Sequence, residues 1–237
     1  MKVVILCGGF GTRLSEETSI KPKPMVKIGN KPILSHIINI YAKYGFKEFI
    51  LALGYKGYYI KKYFNDHKYK KNKIKIQLID TGRNTLTGGR ILRLKKYFRK
   101  NENFMVTYGD GISNQNLKKL KNFHLKHKKI ATMTVVRPPV RFGEVKLKGN
   151  LISNFQEKPQ SGKLWINGGF FVFNSKIFDF ISNDKTMLEQ EPLQKLKNKK
   201  SLYAFKHTGF WQCMDTLREK NYLNKLYKEN KLKWLKT

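Results

Sequence analysis

The chain has 237 residues, 49 Lys and Arg against 16 Asp and Glu, and a formal charge of +33 at pH 7. That length suits one α/β domain, and no apolar run approaches the roughly 20 residues a bilayer-spanning helix needs, so a helical membrane protein is excluded and no membrane partner is expected. The charge alone would suggest nucleic acid, but lysine supplies nearly all of it and is spread through every helix and loop. The arginines are Arg13, Arg83, Arg90, Arg93, Arg99, Arg137, Arg141 and Arg218, and they gather into no fork-bearing patch of the kind that reads bases and phosphates, so no nucleic-acid partner is expected. The densest lysine cluster, from Lys61-Lys62 through Lys73, reads as an exposed helix end and loop. Two cysteines, Cys7 and Cys213, form no disulfide framework and read as small buried filler, and no basic-then-apolar leader opens the chain. A cytoplasmic protein is expected.

In chain order, Lys2-Val3-Val4-Ile5-Leu6 predicts a buried first strand of a parallel sheet. A glycine-rich run follows it. Ile33, Leu34, Ile37, Ile38 and Tyr41 share one face of a helix opened by Pro32 and ended at Gly45 as C′. Phe49–Leu53 predicts the second strand, Ile60–Phe64 a short helix and Ile74–Ile79 a third strand. Residues 89–99 return to helical spacing, and Phe104–Thr107 is a strand that ends at Tyr108-Gly109-Asp110-Gly111. Leu117–His127 is helical and Ile130–Val136 strand-like. Shorter strands then run through Gly143–Val145, Leu151–Phe155 and Ile166–Phe173, followed by two helices and a last strand. Trp211 to Thr216 caps a helix over Leu217–Lys228, with Asp215 or Thr216 at the N-cap. Strand, loop, helix and strand make βαβ units, so a mixed, mainly parallel sheet flanked by helices is expected, with its ligand edge at the carboxyl ends of the strands.

Cys7-Gly8-Gly9-Phe10-Gly11-Thr12-Arg13 stands where such a sheet receives an anion, and Lys21-Pro22-Lys23-Pro24-Met25 brings further cations to the same turn. The glycine spacing matches neither G-x-x-x-x-G-K-[ST] nor G-x-G-x-x-G, which disfavours a P-loop kinase and a hydride-transferring dinucleotide enzyme. Asp110 between two glycines and Asp215 before a helix are candidate ligands for a hard divalent cation, or else a turn aspartate and a helix cap. Glu157-Lys158-Pro159, Ile166-Asn167-Gly168-Gly169 and Thr85-Leu86-Thr87-Gly88-Gly89-Arg90 are each candidate ligand contacts or ordinary loops. His124 and His127 share a helical face without a Glu or Cys partner, which argues against a metal there.

Taken in order, G-G-x-G-T-R-L, K-P-K-P-M, T-G-G-R, Y-G-D-G, F-Q-E-K-P, N-G-G-F-F and W-x-x-M-D-T resemble the sugar-1-phosphate nucleotidylyltransferases across nearly the whole chain. Within that family the motifs are most similar to the glucose-1-phosphate cytidylyltransferases. The resemblance implies a Rossmann-like fold over 1–237, with a nucleotide-binding part of about 1–110 and a sugar-binding part of about 111–237. It implies CTP and α-D-glucose 1-phosphate as substrates, CDP-glucose and pyrophosphate as products, Mg²⁺ as cofactor, a step toward surface-polysaccharide deoxyhexoses, and a homo-oligomer. It places the triphosphate on Leu6, Cys7, Gly8, Gly9, Phe10, Gly11, Thr12 and Arg13, with Lys23 on the transferring phosphoryl group and Thr85, Arg90 and Gly109 at the nucleotide. Arg13, Lys23 and Asp110 are the implied catalytic groups and Asp110 and Asp215 the implied metal ligands. Glu157, Lys158 and Asn167 fall where the family holds the sugar phosphate. Between Phe64 and Asp80 the chain is shorter than its resemblance family, in a segment that the family associates with loop mobility and subunit contacts.

Overall fold

The computed structural model describes residues 1–66, 73–138, 143–156 and 164–235. The first part of the chain forms β1 (Val3–Cys7), α1 (Ser15–Thr18), β2 (Lys27–Ile28), β3 (Lys31–Pro32), α2 (Ile33–Lys43), β4 (Glu48–Leu53), α3 (Gly57–Asp66), β5 (Lys75–Asp80) and α4 (Thr87–Arg93). The middle forms β6 (Asn103–Tyr108), β7 (Gly111–Ser113), α5 (Leu117–His127), β8 (Ala131–Val136), β9 (Glu144–Lys148), β10 (Leu151–Gln156) and β11 (Ile166–Asn174). The chain closes with α6 (Glu191–Asn198), β12 (Leu202–His207), β13 (Trp211–Cys213) and α7 (Leu217–Lys228).

The main sheet runs β12-β8-β11-β6-β1-β4-β5. All its pairs are parallel except those made by β11, which is antiparallel to both β6 and β8. The mixed, mainly parallel sheet read from the sequence is therefore present. All five residues of β1 are buried, because helices cover both faces of the sheet. Val3 and Ile5 face one apolar layer, with Ile33, Leu34 and Ile37 of α2 and Leu223 of α7, and Val4 and Leu6 face the other, with Ile91 of α4, Leu94 just after it and Leu196 of α6. The alternation follows from the strand period of two.

Where local patterning was strong, the elements fall where expected. Helix α2 ends with Gly45 at φ 87°, and α5 and α7 have the expected bounds. Two expectations change. The helical stretch at 89–99 is α4 followed by a 3₁₀ turn at Lys95–Tyr97, and the first of the two helices after β11 is a 3₁₀ turn over Ser175–Phe180. The pairing of β7 with β13 comes in addition, two three-residue strands too short to show a period.

A salt-linked joint ties the front of the chain to its end. Glu17 of α1 accepts from Lys220 of α7 and pairs with Lys21 at 3.1 Å. The Lys220 hydrogen bond, opposed by burial and aided by Lys21, holds the Glu17 carboxyl below its ordinary value. A depressed carboxyl contributes stability that is present above its unfolded pKa, about 4.3, and lost as pH falls through the folded value. The pair is partly exposed, so about 0.5–1 kcal/mol is expected from it. Urea titrations from pH 6 to pH 3 are expected to show a shallower stability loss in Lys220→Ala than in the parent chain; equal slopes would refute the assignment.

Candidate active site

The carboxyl ends of β1 and β6 and the start of α7 border a cleft of about 2360 Å³. On its floor lies a four-residue charge cluster. Lys23 enters from a 3₁₀ turn over Lys23–Met25, preceded by Pro22 in extended backbone. Its side chain is 10% exposed, and Nζ donates to Asp110 Oδ2 at 2.7 Å and to Asp215 Oδ1. Arg13 Nη1 pairs with Asp215 Oδ2 at 2.7 Å from a side chain that is 73% exposed. Burial pulls the Lys23 ammonium down, but the Asp110 and Asp215 carboxylates outweigh it, and its pKa lies above the ordinary lysine value. Lys23 therefore carries a fixed charge, while Arg13 stands exposed at the mouth.

The two carboxylates meet because two short strands pair. Asp110 precedes β7 and Asp215 follows β13. In their antiparallel ladder Cys213 stands opposite Gly111, and Met214 N–H donates to the Asp110 carbonyl at 2.8 Å. Of the two candidate caps it is Thr216 that caps α7, in a capping box with Glu219, and Glu219 also accepts the Asp215 N–H at 2.7 Å. The Asp215 side chain is thereby left to the cleft.

The glycine-rich turn is shaped from behind. Arg90 is 3% exposed and donates to the carbonyls of Gly8 at 2.8 Å, Leu53 at 3.0 Å, Gly82 at 2.6 Å and Arg83 at 3.3 Å, and to the Thr81 hydroxyl at 2.9 Å. A Cβ on Gly8 would stand 2.2 Å from the Arg90 Cζ, so only glycine fits over the guanidinium. Gly11 adopts φ 70°, the left-handed region that glycine enters without strain. Both η nitrogens of Arg90 are thus bonded to the protein itself, and the residue also borders the cleft from behind the turn.

Leu6, Cys7, Gly9, Phe10, Thr12, Thr85 and Gly109 border the same cleft, as does Asn167. The Asn167 Oδ1 accepts the Gly169 N–H at 2.8 Å, which leaves its amide group donating to the Tyr108 hydroxyl at 3.4 Å. Glu157 and Lys158 lie outside the described residues, as does most of the lysine cluster after Asp66. Tyr108, Glu189 and Trp211 also border the cleft; the first and last open the Y-G-D-G and W-x-x-M-D-T motifs, but none of the three is assigned a site role from the sequence, and Trp211 anchors β13 to β11 by donating to the Gly168 carbonyl at 2.7 Å. Tyr108 adjoined the Gly-Asp-Gly motif, a signal that was available, whereas Glu189 stands in no motif.

Neither cysteine has the character of a nucleophile. Burial pushes the Cys7 thiol far up, and burial together with Glu219 and Asp215 pushes that of Cys213 up to about 12. His124 and His127 both bond the Thr132 hydroxyl, at 2.9 and 2.7 Å, a packing role within α5 and β8.

The cleft thus brings a Gly-rich turn together with a lysine and an arginine that answer two carboxylates, and a family model described as Nucleotidyl transferase matches residues 2–224. The chain belongs to the nucleotidyl transferase family. This nucleotidyl transferase is 46% identical to a glucose-1-phosphate cytidylyltransferase of Salmonella typhimurium over 253 aligned positions, covering 99% of this chain and 98% of that relative. It is 35% identical to the mannose-1-phosphate guanylyltransferase catalytic subunit beta of Drosophila melanogaster, covering 94% of this chain and 61% of that one. Among solved structures, a UDP-glucose pyrophosphorylase complexed with UDP-glucose superposes with a TM-score of 0.74 at 18% identity, covering 97% of this chain and 98% of the other, a likeness of fold.

Proposed function

We propose that this nucleotidyl transferase moves the cytidylyl group of CTP onto α-D-glucose 1-phosphate, giving CDP-glucose and pyrophosphate. The observation that carries the reading is the placement of Lys23 between Asp110 and Asp215, with Arg13 at the rim of the Leu6–Arg13 turn, in one cleft with Asn167. Near full-length similarity to a cytidylyltransferase supports the choice of base and sugar.

In this reading a phosphate oxygen of the sugar phosphate attacks the α-phosphorus in line, the new P–O bond forms, and the bond to the β-phosphate oxygen breaks to release pyrophosphate. No protein nucleophile is required, in keeping with the protonated thiols of Cys7 and Cys213. The chain supplies position and charge. The turn's backbone N–H groups receive the triphosphate, Lys23 neutralises the transferring phosphoryl group, and Arg13 follows the leaving pyrophosphate. Thr85 and Gly109 border the nucleotide; Asn167, with Glu157 and Lys158, holds the sugar phosphate. The part up to about residue 110 serves the nucleotide and the remainder the sugar, as one working unit.

The residues fit a divalent cation, Mg²⁺ in this proposal. Asp110 and Asp215 already converge on one positive centre, the Lys23 ammonium, and a hard-oxygen pair of this kind suits an ion that completes its shell with substrate phosphates and water. Those two carboxylates would hold it, and it would supply charge neutralisation at the phosphates. Pyrophosphate release measured over a matrix of NTPs and sugar 1-phosphates with Mg²⁺ is expected to peak for CTP with glucose 1-phosphate. Release favouring another base or sugar would overturn that part of the reading, and none with any pair would overturn the whole.

We also place the protein in the cytoplasm, and infer that it self-associates. No helix among the described residues is long and apolar enough to cross a membrane. On the hairpin β9–β10, Val145 pairs with Phe155 and Leu147 with Ile152, forming one apolar face whose residues are 48–66% exposed. Lys146, Asn154 and Gln156 of the same hairpin border the cleft. A second copy seated on the apolar face would cover it and steady one wall of the cleft. Light scattering is expected to give a mass above one chain for the parent and a lower mass for Leu147→Glu with Ile152→Glu; a monomeric parent would refute the inference.

A further inference from the structure

One carboxylate in the cleft belongs neither to the glycine turn nor to the Lys23 cluster. Glu189 Oε2 accepts the Thr87 hydroxyl at 2.7 Å, and Oε1 accepts the Tyr108 hydroxyl. Thr87 is itself fixed by accepting the Leu188 N–H at 2.9 Å. Among the described residues no cation pairs with Glu189.

The glycines of T-G-G-R deliver this side chain. The N–H groups of Gly88 and Gly89 donate to the Thr186 carbonyl at 3.0 and 3.2 Å, and Leu86 N–H donates to the Asp184 carbonyl at 2.9 Å. A Cβ on Gly89 would stand 2.5 Å from the Asp184 Cα, so the segment before Glu189 can lie directly on α4. Arg93 secures it with a two-point bond to Asp184, at 2.9 and 2.5 Å. Both the main-chain approach and the carboxylate are therefore fixed without a ligand.

A carboxylate offers about four acceptor positions, and two are taken here. What suits the remainder is a neutral hydroxyl donor, because a phosphate would be repelled. The direction of the site follows from Tyr108, whose hydroxyl donates to Glu189 and accepts from Asn167 at 3.4 Å. Burial and the neighbouring Glu189 push the Tyr108 phenol far up, which keeps it a donor at neutral pH. One hydroxyl thus separates Glu189 from the side chain assigned to the sugar.

We infer that Glu189 is a sugar-specificity residue, its carboxylate held by Thr87 and Tyr108 to accept hydrogen bonds from hydroxyls of the sugar 1-phosphate. The inference rests on the reading that Asn167 faces the sugar. A site built to bond a hydroxyl rejects the analogue that lacks it far more strongly than an apolar pocket can reject a size change.

The test is steady-state kinetics on the full chain with the sugar phosphate it turns over best, the monodeoxy forms of that sugar phosphate, and CTP against dCTP. For Glu189→Leu, the KM for the sugar phosphate is expected to rise about ten-fold or more while that for CTP stays within about two-fold. The parent is expected to disfavour at least one deoxy sugar by about ten-fold or more, and the variant to lose that preference. Glu189→Gln, close in shape, is expected to show the same pattern in weaker form and serves if the leucine variant does not fold. Tyr108→Phe is expected to raise the sugar KM by a few-fold, with CTP unaffected. A matching rise in KM for CTP, or altered discrimination between CTP and dCTP, would assign Glu189 to the ribose and overturn the inference. An unchanged sugar preference in both Glu189 variants would also overturn it. The parent's own choice among sugar phosphates tests the substrate reading separately.

Discussion

Lys23→Ala is expected to lower kcat by about 10²-fold or more while the far-UV circular dichroism keeps its native form. The catalytic loss follows from removing one preorganised cation from a reaction that depends on charge neutralisation. The same change also touches stability, because Lys23 answers two carboxylates that are only 24% and 15% exposed. Breaking a buried ion pair from one side costs about 3–5 kcal/mol. Here water reaches both acids and Arg13 still pairs with Asp215, so about 1–3 kcal/mol is expected. For a chain of this size that is roughly 2–4 °C in Tm for each kcal/mol. Added Mg²⁺ is expected to recover part of the shift, since a cation between Asp110 and Asp215 restores what the ammonium supplied. Near-normal turnover in a natively folded variant would sink the assignment of Lys23, and a Tm shift indifferent to Mg²⁺ would sink that of the two aspartates.

Arg90→Met is expected to damage folding and nucleotide binding together. Its guanidinium is the donor for four carbonyls and one hydroxyl, and it fills the space beneath Gly8 and Gly54. Methionine can occupy much of that volume but donates nothing, so the Gly82 and Arg83 carbonyls lose their donor while Gly8 and Leu53 keep those of Tyr55 and Thr81. With the packing beneath the turn also disturbed, a total of about 2–4 kcal/mol is expected. Arg90→Lys is expected to recover little, because an ammonium lacks the planar fork that reaches Gly8 on one side and Gly82 on the other. Urea midpoints and CTP titration calorimetry separate two roles. A clamp beneath the turn loses stability and CTP affinity in both variants, whereas loss of CTP affinity at unchanged stability would restore a direct nucleotide contact.

These two residues mark where sequence reading and three-dimensional placement part. Both were singled out by their motifs, yet K-P-K-P-M and T-G-G-R carry no sign of depth. Lys23 borders the cleft with its ammonium held between the carboxylates of Asp110 and Asp215. Arg90 borders it from below the turn and gives its η nitrogens to backbone carbonyls there. The arginine side chain is the same chemical object in either place, and only the carbonyls around it decide its work.

What the amino-acid sequence determined by itself is local. The apolar run Val3–Cys7, the one-sided helix Ile33–Lys43 ended by Gly45, and the helix Leu217–Lys228 opened by a cap at Asp215 or Thr216 follow from hydrophobic period and capping chemistry, which act over a few residues. The ordered motifs pointed to the family for the same reason, each being a short run with its own chemistry. Tertiary structure decided which of them meet. Asp110 and Asp215 share one ammonium because Gly111–Ser113 pairs with Trp211–Cys213, and strands of three residues show no period to read. Glu189 reaches the cleft because the segment from Asp184 packs on Gly88 and Gly89. Contacts across some 100 residues form when the whole core closes, and no local pattern along the chain records them.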